Sequence, residues 1–192
     1  MRILVAGIIG GIIVFIWGAV AHMALPIGEA GFRYPAQQDA VLSALQQSAT
    51  SEGVYMYPSM EFEKYGDEAA MKTFAEQSKG KPYALVIYRP DGNPSIESMG
   101  PNLIKQFVSV LLAALVAAWL LASTPWSFGR RVVATAALGL FGWLIVNVPY
   151  WNWYLFPLDF TLGALAEQVI GWLLGGLGIA WWLGRKSKPV LQ

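Results

Sequence analysis

Apolar residues are concentrated in four long stretches of this chain. They cover residues 3–25, about 103–122, about 132–148 and about 160–183. A helix needs about 20 mostly apolar residues to cross the hydrocarbon core of a bilayer. All four stretches approach that length, although the third is short, and the first is longer than the apolar core of a cleaved signal peptide. The pattern therefore predicts a membrane all-α bundle of four transmembrane helices.

The pattern changes between the first and second stretches. Residues 26–101 carry ten acidic and six basic side chains. Two segments with helical spacing alternate there with two strand patterns, GVYMYPS and PYALVIY, in the order α-β-α-β. A helix between two strands is compatible with a parallel crossover. We therefore predict a transmembrane helix at 1–25, a small α/β domain inserted at 26–101, and three transmembrane helices with a short C-terminal tail at 102–192.

Lysine and arginine in the short connections predict the orientation, because such residues favour the cytoplasmic side. The basic residues that flank the stretches are Arg2, Arg130, Arg131, Arg185, Lys186 and Lys188. The connection at 150–158, which contains YWNWY, has none, and its aromatic residues are typical of a membrane interface. We expect both termini in the cytoplasm and residues 26–101 outside it. In a bacterium this means the inner membrane with a periplasmic domain.

Composition supports the membrane assignment and excludes several chemistries. The chain is 56% hydrophobic and 13% charged, whereas about 25% of the residues of a soluble domain are charged. The absence of cysteine and the presence of one histidine exclude thiol catalysis, disulfides and multi-histidine metal sites within one chain. A net charge of +1 does not indicate a nucleic-acid partner. No common catalytic motif occurs, so an enzyme is disfavoured.

Polar residues within the apolar stretches lie near their expected outer ends. They are His22, Lys105, Gln106, Asn147, Asp159, Glu167 and Gln168. Ionisable groups inside a membrane are costly and are candidates for function, although an interhelical hydrogen bond is the structural alternative. We expect Glu167 to be protonated or to pair with Lys105 or His22. Asp159 follows Pro157 and is expected to cap the fourth helix.

These residues favour a binding or assembly protein with a groove at the outer leaflet, because concave sites often form where domains meet. The predicted lining residues are His22, Glu29, Lys105, Asn147, Trp151, Trp153 and Glu167. The expected occupant is a membrane lipid, a small amphiphile or a partner membrane protein.

Two other functions stay open. Copper handling is one, because thioethers and imidazole suit Cu(I) and His22 adjoins Met23, while Met56 and Met60 lie in the domain. An oligomeric transporter or channel is the other, although the inner halves of the stretches lack a polar stripe.

Glycines in the first and fourth stretches indicate close helix contacts, since small residues let helix backbones approach. They are Gly7, Gly11 and Gly18 in the first stretch and Gly171, Gly175 and Gly178 in the fourth. Two arrangements are compatible with this spacing. Either the first and fourth helices pack together, or one of them forms a homo-oligomer.

Overall fold

The computed structural model describes residues 1–185, so the predicted cytoplasmic tail with Lys186 and Lys188 lies outside the described part. The elements in chain order are α1 (Arg2–Met23), α2 (Gln38–Ser48), β1 (Gly53–Tyr57), α3 (Glu68–Ser78), β2 (Ala84–Tyr88), α4 (Gly100–Ala122), α5 (Phe128–Tyr154) and α6 (Leu158–Gly184). Single 3-10 turns lie at Phe62–Lys64 and Pro94–Ile96. The helices α1, α4, α5 and α6 are long and apolar enough to cross a membrane, which confirms the four predicted spans.

The third span is longer than its apolar pattern indicated. Helix α5 continues to Tyr154 and ends at Leu155, whose φ of 56° is left-handed. The predicted aromatic loop at 150–158 was therefore wrong over most of its length, because YWNWY belongs to the last turns of the helix. Pro149 lies inside α5. A proline costs one backbone hydrogen bond, which a membrane helix tolerates when neighbouring groups compensate for it.

The chain divides into two compact units. Among the described residues, unit 1 contains 1–33 and 98–185, and unit 2 contains 34–97. In unit 1, α6 packs along α5 on one side and along α1 on the other, and α1 also packs along α4. The four helices therefore lie mainly in the order α4, α1, α6, α5, with two central and two peripheral members.

Glycines join the two central helices. A Cβ atom on Gly10 would lie 2.5 Å from the Ile179 side chain, and one on Gly175 would lie 2.5 Å from Val14. Gly178 faces α1 in the same way, because a Cβ atom there would lie 2.5 Å from the Ile13 side chain. These contacts hold α1 against α6 within one chain, which was the first of the two predicted arrangements. Homo-oligomerisation stays a prediction, and it would use another surface.

The two halves of unit 1 differ in how tightly they are packed. The half that contains the N-terminus of α1 holds a core of small and aliphatic residues: Ala6, Ala117, Ala118, Leu121, Ile179 and Leu183. In the half that contains the C-terminus of α1, fewer large side chains of the four long helices are buried, and the buried residues there include Ala21, Thr161 and Gly171, which lies against Trp17. The helices are thus locked together at one end and leave side chains accessible at the other.

Unit 2 contains one two-stranded sheet and two short helices. The strands β1 and β2 are antiparallel, with Val54 opposite Ile87. The parallel crossover considered from the sequence was wrong, because the connection over 58–83 is long enough to reverse the chain direction whether or not it contains a helix. Asp67 caps α3 by accepting hydrogen bonds from the amides of Ala69 and Ala70. Ala49 is the one buried residue of this unit, so its core is small.

Candidate functional site

Helix packing brings His22 of α1 and Glu167 of α6 together. The distance from His22 Nε2 to Glu167 Oε1 is 3.2 Å, which is within hydrogen-bonding range and forms an ion pair when the imidazole is protonated. The side chains remain 57% and 30% exposed, respectively. Of the partners predicted for Glu167, the structure selects His22. We call these two residues the His–Glu pair.

Contacts on the backbone of α6 fix the position of this pair. The indole Nε1 of Trp17 donates to the carbonyl of Glu167 at 2.9 Å. The Trp17 ring lies over Gly171, where a Cβ atom would approach its Cδ1 to 2.8 Å. Gly18, one residue further along α1, faces the Glu167 carboxylate, with its Cβ position 3.9 Å from Oε1. The glycines therefore allow the indole and the carboxylate to fit between the two helices.

A turn segment, residues 24–33, folds back over His22. The amide of Gly28 donates to the carbonyl of Ala21 at 3.1 Å. A Cβ atom on Gly28 would lie 2.5 Å from both Cα and Nδ1 of His22. Only glycine allows this approach of backbone to imidazole. Nδ1 of His22 is consequently covered by the turn segment, while Nε2 faces Glu167.

The same turn segment is fastened to the first turn of α6. Phe32 packs edge-on against Phe160 with a centroid distance of 5.8 Å. Gly31 has a φ of +84° and lies against the backbone of Phe160, so a side chain there would be strained as well as crowded. Arg33 forms an ion pair with Asp159. The predicted cap role of Asp159 was wrong, because Pro157 occupies the N-cap position and the Asp159 carboxylate binds Arg33 and the Phe160 amide.

A second polar contact lies beside the pair, on the neighbouring face of α6 that meets α5. Gln168 Nε2 donates to Asn147 Oδ1 of α5 at 2.8 Å. Gly142 makes room for the amide, since its Cβ position is 3.2 Å from Gln168 Oε1. Consecutive residues of a helix point about 100° apart, so Glu167 reaches α1 while Gln168 reaches α5. Helix α6 is therefore held in one rotational setting by polar contacts on both sides.

Among residues 1–185, no side-chain hydrogen bond or ion pair joins the remaining predicted site residues to this cluster. Lys105 lies on an exposed position of α4, and among residues 1–185 it forms no hydrogen bond or ion pair. Glu29 is exposed in the turn segment, where its carbonyl accepts the amide of Phe32. Trp151 and Trp153 are exposed near the C-terminus of α5. Of the seven candidates, His22 and Glu167 meet directly, and Asn147 binds the neighbour of Glu167.

Metal-binding chemistry has little side-chain support in this region. Within residues 1–185, no group of three His, Cys, Asp or Glu side chains is arranged to hold a metal ion. Methionine sulfur is a further ligand type outside this set, so the copper alternative stays a prediction.

The fold and the polar contacts together define a helical multi-pass membrane protein with an acid–imidazole pair between its two central helices. Comparisons with protein-family models, with curated proteins and with solved structures find no match for this chain.

Proposed function

We propose that this protein binds an amphiphile, either a membrane lipid or a small molecule, whose polar headgroup contacts the His–Glu pair. The protein would lie in an inner membrane with the pair in the outer leaflet, because Arg2, Arg130, Arg131 and Arg185 flank the opposite ends of the helices. The single observation that carries the proposal is the placement of an accessible carboxylate and imidazole, 3.2 Å apart, in the loosely packed half of an apolar helix array.

The chemistry of the pair suits a headgroup that carries a hydrogen-bond donor. Within the described residues, His22 contacts Oε1 of Glu167, and no hydrogen bond is made by Oε2. A carboxylate is an acceptor with room for several donors. An ammonium or hydroxyl group can therefore bind Oε2 without breaking the contact with His22.

The depth of Glu167 also suits an amphiphile. The helix α6 has 27 residues, which span about 40 Å and exceed the hydrocarbon thickness of about 30 Å. Glu167 is nine positions beyond the first residue of α6, or about 14 Å along its axis. If both helix ends project equally, the carboxylate lies roughly 9 Å below the hydrocarbon boundary. The headgroup bound to it would then lie about 9 Å below the hydrocarbon boundary, well inside the level of the bulk headgroups.

Native mass spectrometry of the full-length protein released from nanodiscs made of bacterial polar lipids tests this proposal. The wild type is expected to retain a discrete added mass. Glu167→Gln, which keeps the size of the side chain, should reduce that retention about tenfold, the effect of losing one charge-assisted contact. Glu76→Gln is the matched control, because it removes one exposed carboxylate from α3 in unit 2 and is not among the predicted site residues.

Three other results of the mass measurement would change the proposal. An added mass equally retained by both variants would refute the role of the pair. A protein that carries no added mass but co-purifies with a defined partner subunit would replace the amphiphile with a protein at this site. An added mass of copper, lost in Met56→Leu with Met60→Leu, would favour the metal alternative.

A further inference from the structure

The two faces of the sheet in unit 2 differ in how far their side chains are covered. Successive residues of a strand point to opposite faces. On one face, Tyr55 stacks on Tyr57 with a centroid distance of 6.4 Å and meets Tyr88 edge-on at 6.3 Å, and all three residues are partly buried. On the other face, Val54 and Ile87 lie directly opposite each other and are 66% and 76% exposed. This second face is therefore open to a partner.

The second face combines an apolar strip with one charged pair. Met56 and Leu85 are the next opposite residues of the strip, and Glu52 and Arg89 continue the same register beyond its other end. The carboxylate and the guanidinium are 3.7 Å apart and their side chains are 63% and 48% exposed. This distance is longer than a hydrogen bond, so both groups keep the capacity to bind other charges. We call the following six residues the open sheet face: Glu52, Val54, Met56, Leu85, Ile87 and Arg89.

The open sheet face is complementary to itself. Two such faces can be stacked about a two-fold axis that runs parallel to the strands, at the spacing of about 10 Å that separates packed sheets. Because β1 and β2 pair directly opposite each other, this rotation lays β1 of one copy over β2 of the other. Val54 then faces Ile87 of the second copy, and Glu52 faces its Arg89. A single rotation therefore matches apolar with apolar residues and acid with base, as a two-fold interface requires.

We propose that two copies of this chain associate through the open sheet face. Two strands of five residues give a face of about 17 Å by 10 Å, which is far smaller than the roughly 800 Å² per partner of a stable interface. The contact is therefore weak in solution and depends on a membrane, which holds both copies at a high effective concentration. This association is independent of the function proposed for the His–Glu pair.

Exchange of charges between copies separates a contact across the dimer from the ion pair within one chain. Glu52→Arg leaves two basic residues at the charged end of the face, and Arg89→Glu leaves two acidic ones. Each variant loses the ion pair within the chain and opposes like charges in a homodimer. A mixture of the two variants restores the charge pairs only between copies. Glu76→Arg mixed with Lys79→Glu is the matched control, because both residues are exposed and lie outside the open sheet face.

A second pair of variants tests the apolar strip. Ile87→Thr removes apolar surface but keeps a branched side chain, which suits a strand. Ile96→Thr is the same change at a residue that is 84% exposed and lies in a 3-10 turn of unit 2 outside the face. Full-length chains fused to donor or acceptor fluorescent proteins are reconstituted in lipid vesicles. Energy transfer between them is measured while the ratio of protein to lipid is varied.

The wild type is expected to associate, and each charge variant alone should associate about tenfold more weakly, because two exposed ion pairs become repulsions. The mixture of Glu52→Arg with Arg89→Glu should return to near the wild-type value, although neither chain has its internal ion pair. Ile87→Thr should weaken association, whereas Ile96→Thr should not.

Three results would overturn the proposal. The first is a wild type that stays monomeric at every ratio of protein to lipid. The second is association that the variants of the open sheet face leave unchanged, which would place the contact on another surface. The third is a mixture of Glu52→Arg with Arg89→Glu that gains no more than the control mixture, which would show general charge attraction.

Discussion

Substitution of Gly139 by alanine should force α5 away from α6 and destabilise the protein, because the new methyl group would clash with the backbone of α6. A Cβ atom there would lie 2.7 Å from the carbonyl oxygen of Gln168 and 3.1 Å from the Cβ of Trp172. Helix backbone cannot move away as a flexible side chain can, and overpacking of a core usually costs about 1–3 kcal/mol. The matched control is Gly129→Ala in the same helix, where nothing lies within 4 Å of the new methyl group.

The difference between the two variants reports mainly the clash, since both replace a glycine of α5 by alanine and only Gly139 is crowded. At roughly 2–4 °C per kcal/mol for a chain of this size, the midpoint of thermal unfolding in detergent should be about 2–12 °C lower for Gly139→Ala than for Gly129→Ala. Intrinsic tryptophan fluorescence or gel filtration after heating measures this. Equal midpoints would refute the close packing of α5 on α6 that sets the direction of Gln168.

Three further predictions concern polar contacts. Asn147→Leu and Gln168→Leu should each destabilise the protein by about 0.6–1.7 kcal/mol, the range for hydrogen bonds between membrane helices. In thermal unfolding, the double variant should lose less stability than the sum of the two single losses. Strict additivity would mean that the two amides do not interact. Asp67→Ala should destabilise α3 by about 1 kcal/mol, because the helix loses its cap. Hydrogen exchange of the Ala69 and Ala70 amides measures this loss. In Asp67→Asn these amides should exchange nearly as slowly as in the wild type. A hydrogen bond from Lys64, together with its charge, holds the pKa of Glu61 below its ordinary value. The small stabilisation from this contact is therefore present above the unfolded-state pKa and is lost as the pH falls through the folded-state pKa. An NMR titration of the Glu61 carboxyl should show a higher pKa in Lys64→Gln, and an unchanged pKa would disprove the contact.

The four spans could be predicted because each is a long apolar run, and hydropathy measures what a bilayer requires. The end of α5 could not be placed in the same way. Tyr, Trp and Asn after Pro149 resemble an interfacial loop in composition, yet the helix continues to Tyr154. Length and hydropathy do not determine where a helix ends, and here α5 ends only at Leu155, whose backbone is left-handed.

The His–Glu pair was one of the alternatives predicted for Glu167. The sequence identified Glu167 as an unusual carboxylate with Lys105 or His22 as partners, but these residues are far apart along the chain. The choice depends on the order of the helices, because α1 lies next to α6 and Lys105 lies on the far neighbour of α1. Apart from a glycine that follows a helix, nothing in the sequence predicted that Gly28 would cover His22.

The most direct test of the central proposal is where an amphiphile touches the protein. The full-length protein in nanodiscs is incubated with a phosphatidylethanolamine analogue that carries a photoreactive diazirine near its headgroup, and the labelled peptides are mapped by mass spectrometry. Binding at the His–Glu pair predicts labelling concentrated in residues 17–28 and 163–171, and its loss in Glu167→Gln but not in Glu76→Gln. Labelling spread evenly over the lipid-facing residues of all four long helices, or unchanged by Glu167→Gln, would contradict it.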